Sequence, residues 1–170
     1  MSVPTAIRRI LFAAALILVV APNLRAQERP DFSGTWRLNL AKSDYGDLQG
    51  PESRTDVIEQ HDGRISESVT AEGRHRRQQY TLSFTTDGSE TALPPDTRMG
   101  VITILTVSAR WRGNVLAVTQ NFKFQGAVLV ATDMYLLSDD GNTLTMILSL
   151  NGGSRTDATF IFDRVLNGAR

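Results

Sequence analysis

From Ser53 to the end of the chain, alternating apolar and polar segments are cut at regular intervals by turn-forming residues. The cuts fall at Asp62-Gly63, Glu72-Gly73, Asp87-Gly88, Gly113-Asn114, Gln125-Gly126, Asp140-Gly141-Asn142 and Gly152-Gly153. Turns at this spacing, between segments of period two, specify an antiparallel meander. No segment sustains an apolar period near 3.6, which leaves little room for helix. Ser89 to Leu93 reads as a weak strand ended by Pro94-Pro95, and Ala41 to Glu52 as the longest loop. With that weak strand the count is even, so the chain's two ends meet antiparallel. The expected fold is all-β, an antiparallel up-and-down meander β-barrel of about ten strands.

A slip of one residue turns a strand's apolar set to the opposite face, so each hairpin register can be tested against its own side chains. A two-residue loop at Gly113-Asn114 sets Trp111 opposite Leu116, Ala109 opposite Val118, Val107 opposite Gln120 and Leu105 opposite Phe122. A three-residue loop at Gln125 to Ala127 brings Phe122 to Val130, Gln120 to Thr132 and Val118 to Met134. Another at Asp140 to Asn142 sets Leu136 against Met146 and Met134 against Leu148, and a third at Asn151 to Gly153 sets Leu144 against Phe160. The apolar residues then share one face. In the first half, two-residue turns at Asp62-Gly63 and Glu72-Gly73 place Ile58, Gln60, Ile65, Glu67, Val69, Arg76, Gln78, Tyr80, Leu82 and Phe84 on a common face. Polar residues on a face that should point inward are the anomaly of the pattern.

Residues 1–26 have the marks of a secretory signal. Arg8 and Arg9 precede an apolar run from Ile10 to Ala21, and Leu24-Arg25-Ala26 offers a small residue for cleavage. The run is shorter than the ~20 apolar residues that span a bilayer. Residues 27–170 are expected to form a single exported domain, periplasmic or secreted, with no stable membrane insertion after signal removal. Arg8, Arg9 and Arg25 leave with the signal and no acid does, so 15 basic residues remain against 18 acidic ones, a net charge of −3. That balance argues against nucleic acid as a partner. With no cysteine, stability in an oxidising compartment must come from the core and from closure of the sheet.

The segment Asp31 to Leu40 reads as a first strand carrying Gly34-x-Trp36, and the last strand, FIFDRV, carries Arg164. On these residues, and on the length of its meander, the chain resembles the lipocalin-like barrels of the calycin superfamily, which include lipocalins and fatty-acid-binding proteins. The resemblance implies that Trp36 closes the barrel floor and that Arg164 packs across it. The register independently turns Arg164 inward with Phe160 and Phe162, at the same end as Trp36. The chain departs from lipocalins in having no room for a helix after Arg164. It departs from fatty-acid-binding proteins in having too short a first loop for a helical lid, and no Tyr follows Arg164 in Asp163-Arg164-Val165-Leu166 to help grip a carboxylate.

The resemblance covers architecture and transfers no ligand; the first expectation for function is a binding protein for a small apolar or amphipathic ligand, lipid or fatty-acid-like. Its cavity would be lined by Tyr80, Phe84, Val107, Leu116, Val118, Phe122, Met134, Met146, Leu148 and Phe160. Glu67 is expected opposite Gln78 and diagonal to Arg76, within reach across strands. Glu67, Arg76, Gln78 and Gln120 are candidate polar anchors; alternatively the first three are wetted strand ends, and Gln120 bonds Thr132. The alternative for the whole chain is a barrel filled by its own side chains, with a structural or protein-interaction role. His61 and His75 lie beside turns with outward parity, and no His or Cys spacing fits a zinc site. No catalytic group, cofactor or metal is expected; the protein is expected not to be an enzyme, and a monomer is favoured. Catalysis would require Glu67 to act as a desolvated general acid or base.

Overall fold

A computed structural model describes residues 29–73, 76–151 and 157–166, with Arg76 described by its main chain alone. The expected signal at 1–26, His75 and the Gly152-Gly153 turn lie outside the described residues. The described residues form eleven strands: β1 Gly34–Leu38, β2 Ser53–His61, β3 Arg64–Gly73, β4 Arg76–Thr85, β5 Asp87–Ala92, β6 Arg98–Met99, β7 Ile102–Arg112, β8 Val115–Phe124, β9 Ala127–Leu137, β10 Thr143–Leu150 and β11 Ala158–Arg164. The ladder runs β4-β3-β2-β1-β11-β10-β9-β8-β7-β5, all antiparallel, with short β6 paired to β7. The chain's two ends meet where β1 pairs β11, Trp36 opposite Arg164 and Leu38 opposite Phe162.

The ring is nearly closed. β4 and β5 are consecutive and in contact, yet they are the two ends of the ladder and share no main-chain pairing. Asp87-Gly88 is therefore not the tight hairpin expected. The Asp87 carboxylate instead accepts from the Thr85 hydroxyl and the Ser89 amide, and β5 departs to pair with β7 through a bulge. Side chains bridge the seam: the Tyr80 hydroxyl points at Met99 Sδ, 3.6 Å away.

The Gly113-Asn114 hairpin has the expected pairs Trp111↔Leu116, Ala109↔Val118 and Val107↔Gln120. A bulge between Ile104 and Thr106 then puts Ile104 rather than Leu105 opposite Phe122. The next register differs by one residue. Gln125 and Gly126 both have positive φ, 49° and 87°, the geometry of a two-residue type I′ turn that matches strand twist. Gln120 consequently faces Ala131, Val118 faces Asp133 and Leu116 faces Tyr135, so the inward set of β9 is Ala131, Asp133 and Tyr135 rather than Val130, Thr132 and Met134. The loop before β10 is also longer than expected, since Leu144 pairs with Leu137 and Met146 with Tyr135. The second slip cancels the first, and Met146 and Leu148 keep their inward parity.

On β3 and β4 the ladder continues to Gly73↔Arg76, so Glu67 lies opposite Leu82 and not Gln78. On β10 and β11 Leu144 meets Phe162 rather than Phe160. The first shift is of four residues and the second of two, so both are even and leave the faces unchanged.

One end of the barrel is packed solid. Residues before β1 cross it and place fully buried Phe32 at its centre, stacked on Trp111 at 5.7 Å and edge-on to Tyr135 at 6.0 Å. The anomalous inward Gln60 holds this segment in place: its side chain accepts from the Phe32 amide and donates to the Pro30 carbonyl. Trp36 donates its indole N–H to the Phe32 carbonyl at 2.8 Å. The Arg164 guanidinium lies over the Trp36 ring, 4.2 Å from its centre, and donates to the carbonyls of Gly141 and Ser33, each at 2.7 Å.

Candidate ligand site

Beyond this packed layer the interior opens into a cavity of about 960 Å³, at the upper end of the range for small-molecule sites. Its walls carry Val69, Leu82, Ile104, Phe122, Leu129, Met146, Leu148 and Phe160. The loop between β1 and β2 leans over the mouth. Its Asp44 makes an isolated bridge to Thr159, Tyr45 packs on Phe160 at 5.3 Å, and the Tyr45 ring lies over Gly50. Gly100 and Val101, just past β6, form the opposite rim. A shallower depression of about 460 Å³ lies outside the barrel, along Arg37 to Leu40 and Asp163 to Val165. Unlike the interior, it gathers no cluster of buried charge.

Of the wall residues expected from the sequence, Tyr80, Phe122, Met146, Leu148 and Phe160 line the cavity. Phe84, Val107, Leu116 and Val118 do not: they are buried in the packed core, where the cavity does not reach. Met134 is on the outer face because of the β9 register. Glu67, Gln78 and Gln120 are on the cavity wall, while the Arg76 side chain lies outside the described residues. Gln120 donates to Asp133 Oδ2 at 2.9 Å; Thr132 instead meets Thr119 on the opposite face.

The floor is a polar layer that the sequence reading only partly anticipates. Arg54, Asp56, Glu67, Asp133 and Tyr135 meet where the packed end gives way to the cavity. Arg54 and Asp56 are two apart on β2 and so share a face. Arg54 Nε donates to Asp56 Oδ1 at 2.8 Å, and Nη2 is 2.8 Å from Asp56 Oδ2 and 3.5 Å from Glu67 Oε1. The Arg54 guanidinium also rests against the faces of Phe160 and Phe162, 5.7 and 5.3 Å from the ring centres. Glu67, wholly buried, accepts from the Tyr135 hydroxyl at 2.8 Å.

Burial disfavours charge here, and the groups respond differently. Burial and the neighbouring Asp56 push the Glu67 carboxyl up to about 8, against the pull of Arg54 and the Tyr135 hydrogen bond. Burial raises Asp133 to about 6, opposed by Arg54 and Gln120. Burial acts most strongly against the Arg54 charge, but Asp56, Tyr80 and Glu67 together outweigh it and hold the guanidinium charged. Protonated Glu67 is within hydrogen-bonding reach of Asp56. Asp56 Oδ2 is buried and without a well-directed hydrogen bond despite its closeness to Arg54.

No protein-family model matches this chain, and no curated protein does. Human cellular retinol-binding protein IV has a similar structure, with a TM-score of 0.54 at 16% identity over 80% of this chain and 99% of its own. The fold is a calycin-type barrel. The secretory abundant heat soluble protein 4 of Ramazzottius varieornatus is also similar, with a TM-score of 0.53 at 11% identity, over 79% of this chain and 95% of its own. At these identities the likeness is one of fold, and the chemistry of this calycin-type barrel has to be read from its own cavity.

Proposed function

We propose that this calycin-type barrel is an exported carrier or sensor of a small amphipathic molecule, bound with its tail along the apolar walls and its head at the polar floor. The observation that carries this reading is the cavity itself: about 960 Å³, apolar at the sides and polar at its base. A barrel with a purely structural role has no need of such a space. The polar floor gives a bound molecule one orientation. The similarity to a retinol-binding protein supports the reading at the level of fold.

The test is uptake of the neutral dye N-phenyl-1-naphthylamine, together with native mass spectrometry of protein purified from its own compartment. Saturable dye fluorescence or a co-purifying small molecule supports the carrier. A protein that emerges empty and takes up no dye overturns it. Export is tested by the intact mass of the protein in the extracytoplasmic fraction, which should lack residues 1–26.

Glu67 supports a second reading. A carboxyl held near pH 8 at the base of a deep cavity is suited to transfer a proton at neutral pH. Turnover abolished by Glu67→Gln with ligand uptake intact would favour catalysis over carriage.

A further inference from the structure

Among the described residues the cavity is short of positive charge. Glu67 and Asp133 face it, Glu52 stands at its mouth, and Arg54 is the one described cationic side chain on its surface. That guanidinium is already committed along its Nε–Nη2 edge to Asp56 and Glu67. Its Nη1 makes no hydrogen bond to a described residue and is free to receive a neutral oxygen. Asp133, 7% exposed, faces the cavity; Gln120 occupies its Oδ2, and its Oδ1 accepts from no described group.

We propose that the ligand is an amphiphile with a protonated amine as its head group, seated at the floor against Asp133. This rests on the carrier reading and names the class of molecule carried. A buried carboxylate without a cation is costly, and a cation that arrives with the ligand removes that cost. Arriving at the same place, a fatty acid carboxylate would add a further negative charge to a layer whose one guanidinium is already paired. Tyr80 and Tyr135, both close enough to Asp133 to be influenced by its charge, present rings on which an ammonium group is favourable. Glu52 is exposed at the mouth and adds an attractive field for a cation on its way in.

The experiment is displacement of N-phenyl-1-naphthylamine from the wild-type protein at pH 7 by three probes with the same twelve-carbon tail: dodecylamine, 1-dodecanol and dodecanoate. Dodecylamine should compete best, with an affinity at least about tenfold above that of dodecanoate. In Asp133→Asn the ratio of amine to alcohol affinity should fall by about tenfold. Dodecanoate binding as well as dodecylamine, or an amine no better than the alcohol, overturns the proposal and leaves the carrier reading standing. Failure of the dye and all three probes to bind overturns both. The wild-type comparison decides the matter even if Asp133→Asn does not fold.

Discussion

A β-carbon on Gly34 would stand 2.6 Å from Arg164 Nη1, so the glycine of the Gly34-x-Trp36 triplet is the space that the arginine occupies. Gly34 also has φ of +139°, which side-chain-bearing residues rarely adopt. Gly34→Ala should therefore cost about 2–4 kcal/mol, combining backbone strain with displacement of the cation from Trp36. Gly113→Ala is the control. It also has positive φ but nothing within 4 Å, and should cost only the left-handed penalty of about 1–2 kcal/mol. Urea denaturation of the two variants separates the contributions.

Removing Arg54 strands buried Asp56. Arg54→Met should destabilise by about 3–5 kcal/mol, the usual penalty for a buried charge that loses its partner. In Arg54→Met/Asp56→Leu the loss should be much smaller than the sum of the single substitutions. A double-mutant cycle by urea denaturation measures the difference, and strict additivity would show that the pair is not coupled.

Stability should decline as the solution becomes alkaline. Glu67 and Asp133 have folded-state values of about 8 and 6, above ordinary values of 4.5 and 3.8. The folded chain thus holds more protons than the unfolded chain between those limits. The stabilisation is complete below about pH 4 and is lost as pH rises through 6 and then 8. For Glu67 the upper bound is about 5 kcal/mol, at about 1.4 kcal/mol per pH unit. Glu67→Gln should flatten the upper part of this profile. In the infrared, the wild type should show a protonated carboxyl band that titrates near pH 8 and is missing from the variant.

At the mouth, a β-carbon on Gly50 would run into the Tyr45 ring. Gly50→Ala should push that ring off Phe160 and speed exchange of bound dye. Gly50 is not among the positive-φ positions, so the stability change should stay within about 1 kcal/mol. Stopped-flow dye release and urea denaturation check the two halves of this prediction.

Much of the barrel is legible in the sequence because turns and alternation agree. At β9 they disagree. Val128, Val130, Thr132, Met134 and Leu136 form a face at least as apolar as Leu129, Ala131, Asp133, Tyr135 and Leu137, so hydrophobicity alone selects the wrong side. The deciding signal is the turn: Gln125-Gly126 closes in two residues, and reading it so would have turned Asp133 and Tyr135 inward. Arg54 and Asp56 share parity with Ile58 and Gln60, and carrying the alternation to the start of β2 would have found them. Where the packed core stops was not legible. The stacking of Phe32 on Trp111 fills one end, and no local pattern announces a contact between residues so distant in sequence.

The unpaired seam between β4 and β5 makes this barrel a split ring rather than a hoop. A hoop of continuous hydrogen bonds can widen only by breaking a rung, whereas a split ring changes its girth by sliding one edge past the other. Tyr80 and Met99, which face each other across that gap, both line the cavity. At that join the wall of the chamber is made by side chains, one of them a pliant thioether, rather than by main-chain rungs, and it lies apart from the solid end where Arg164 covers Trp36.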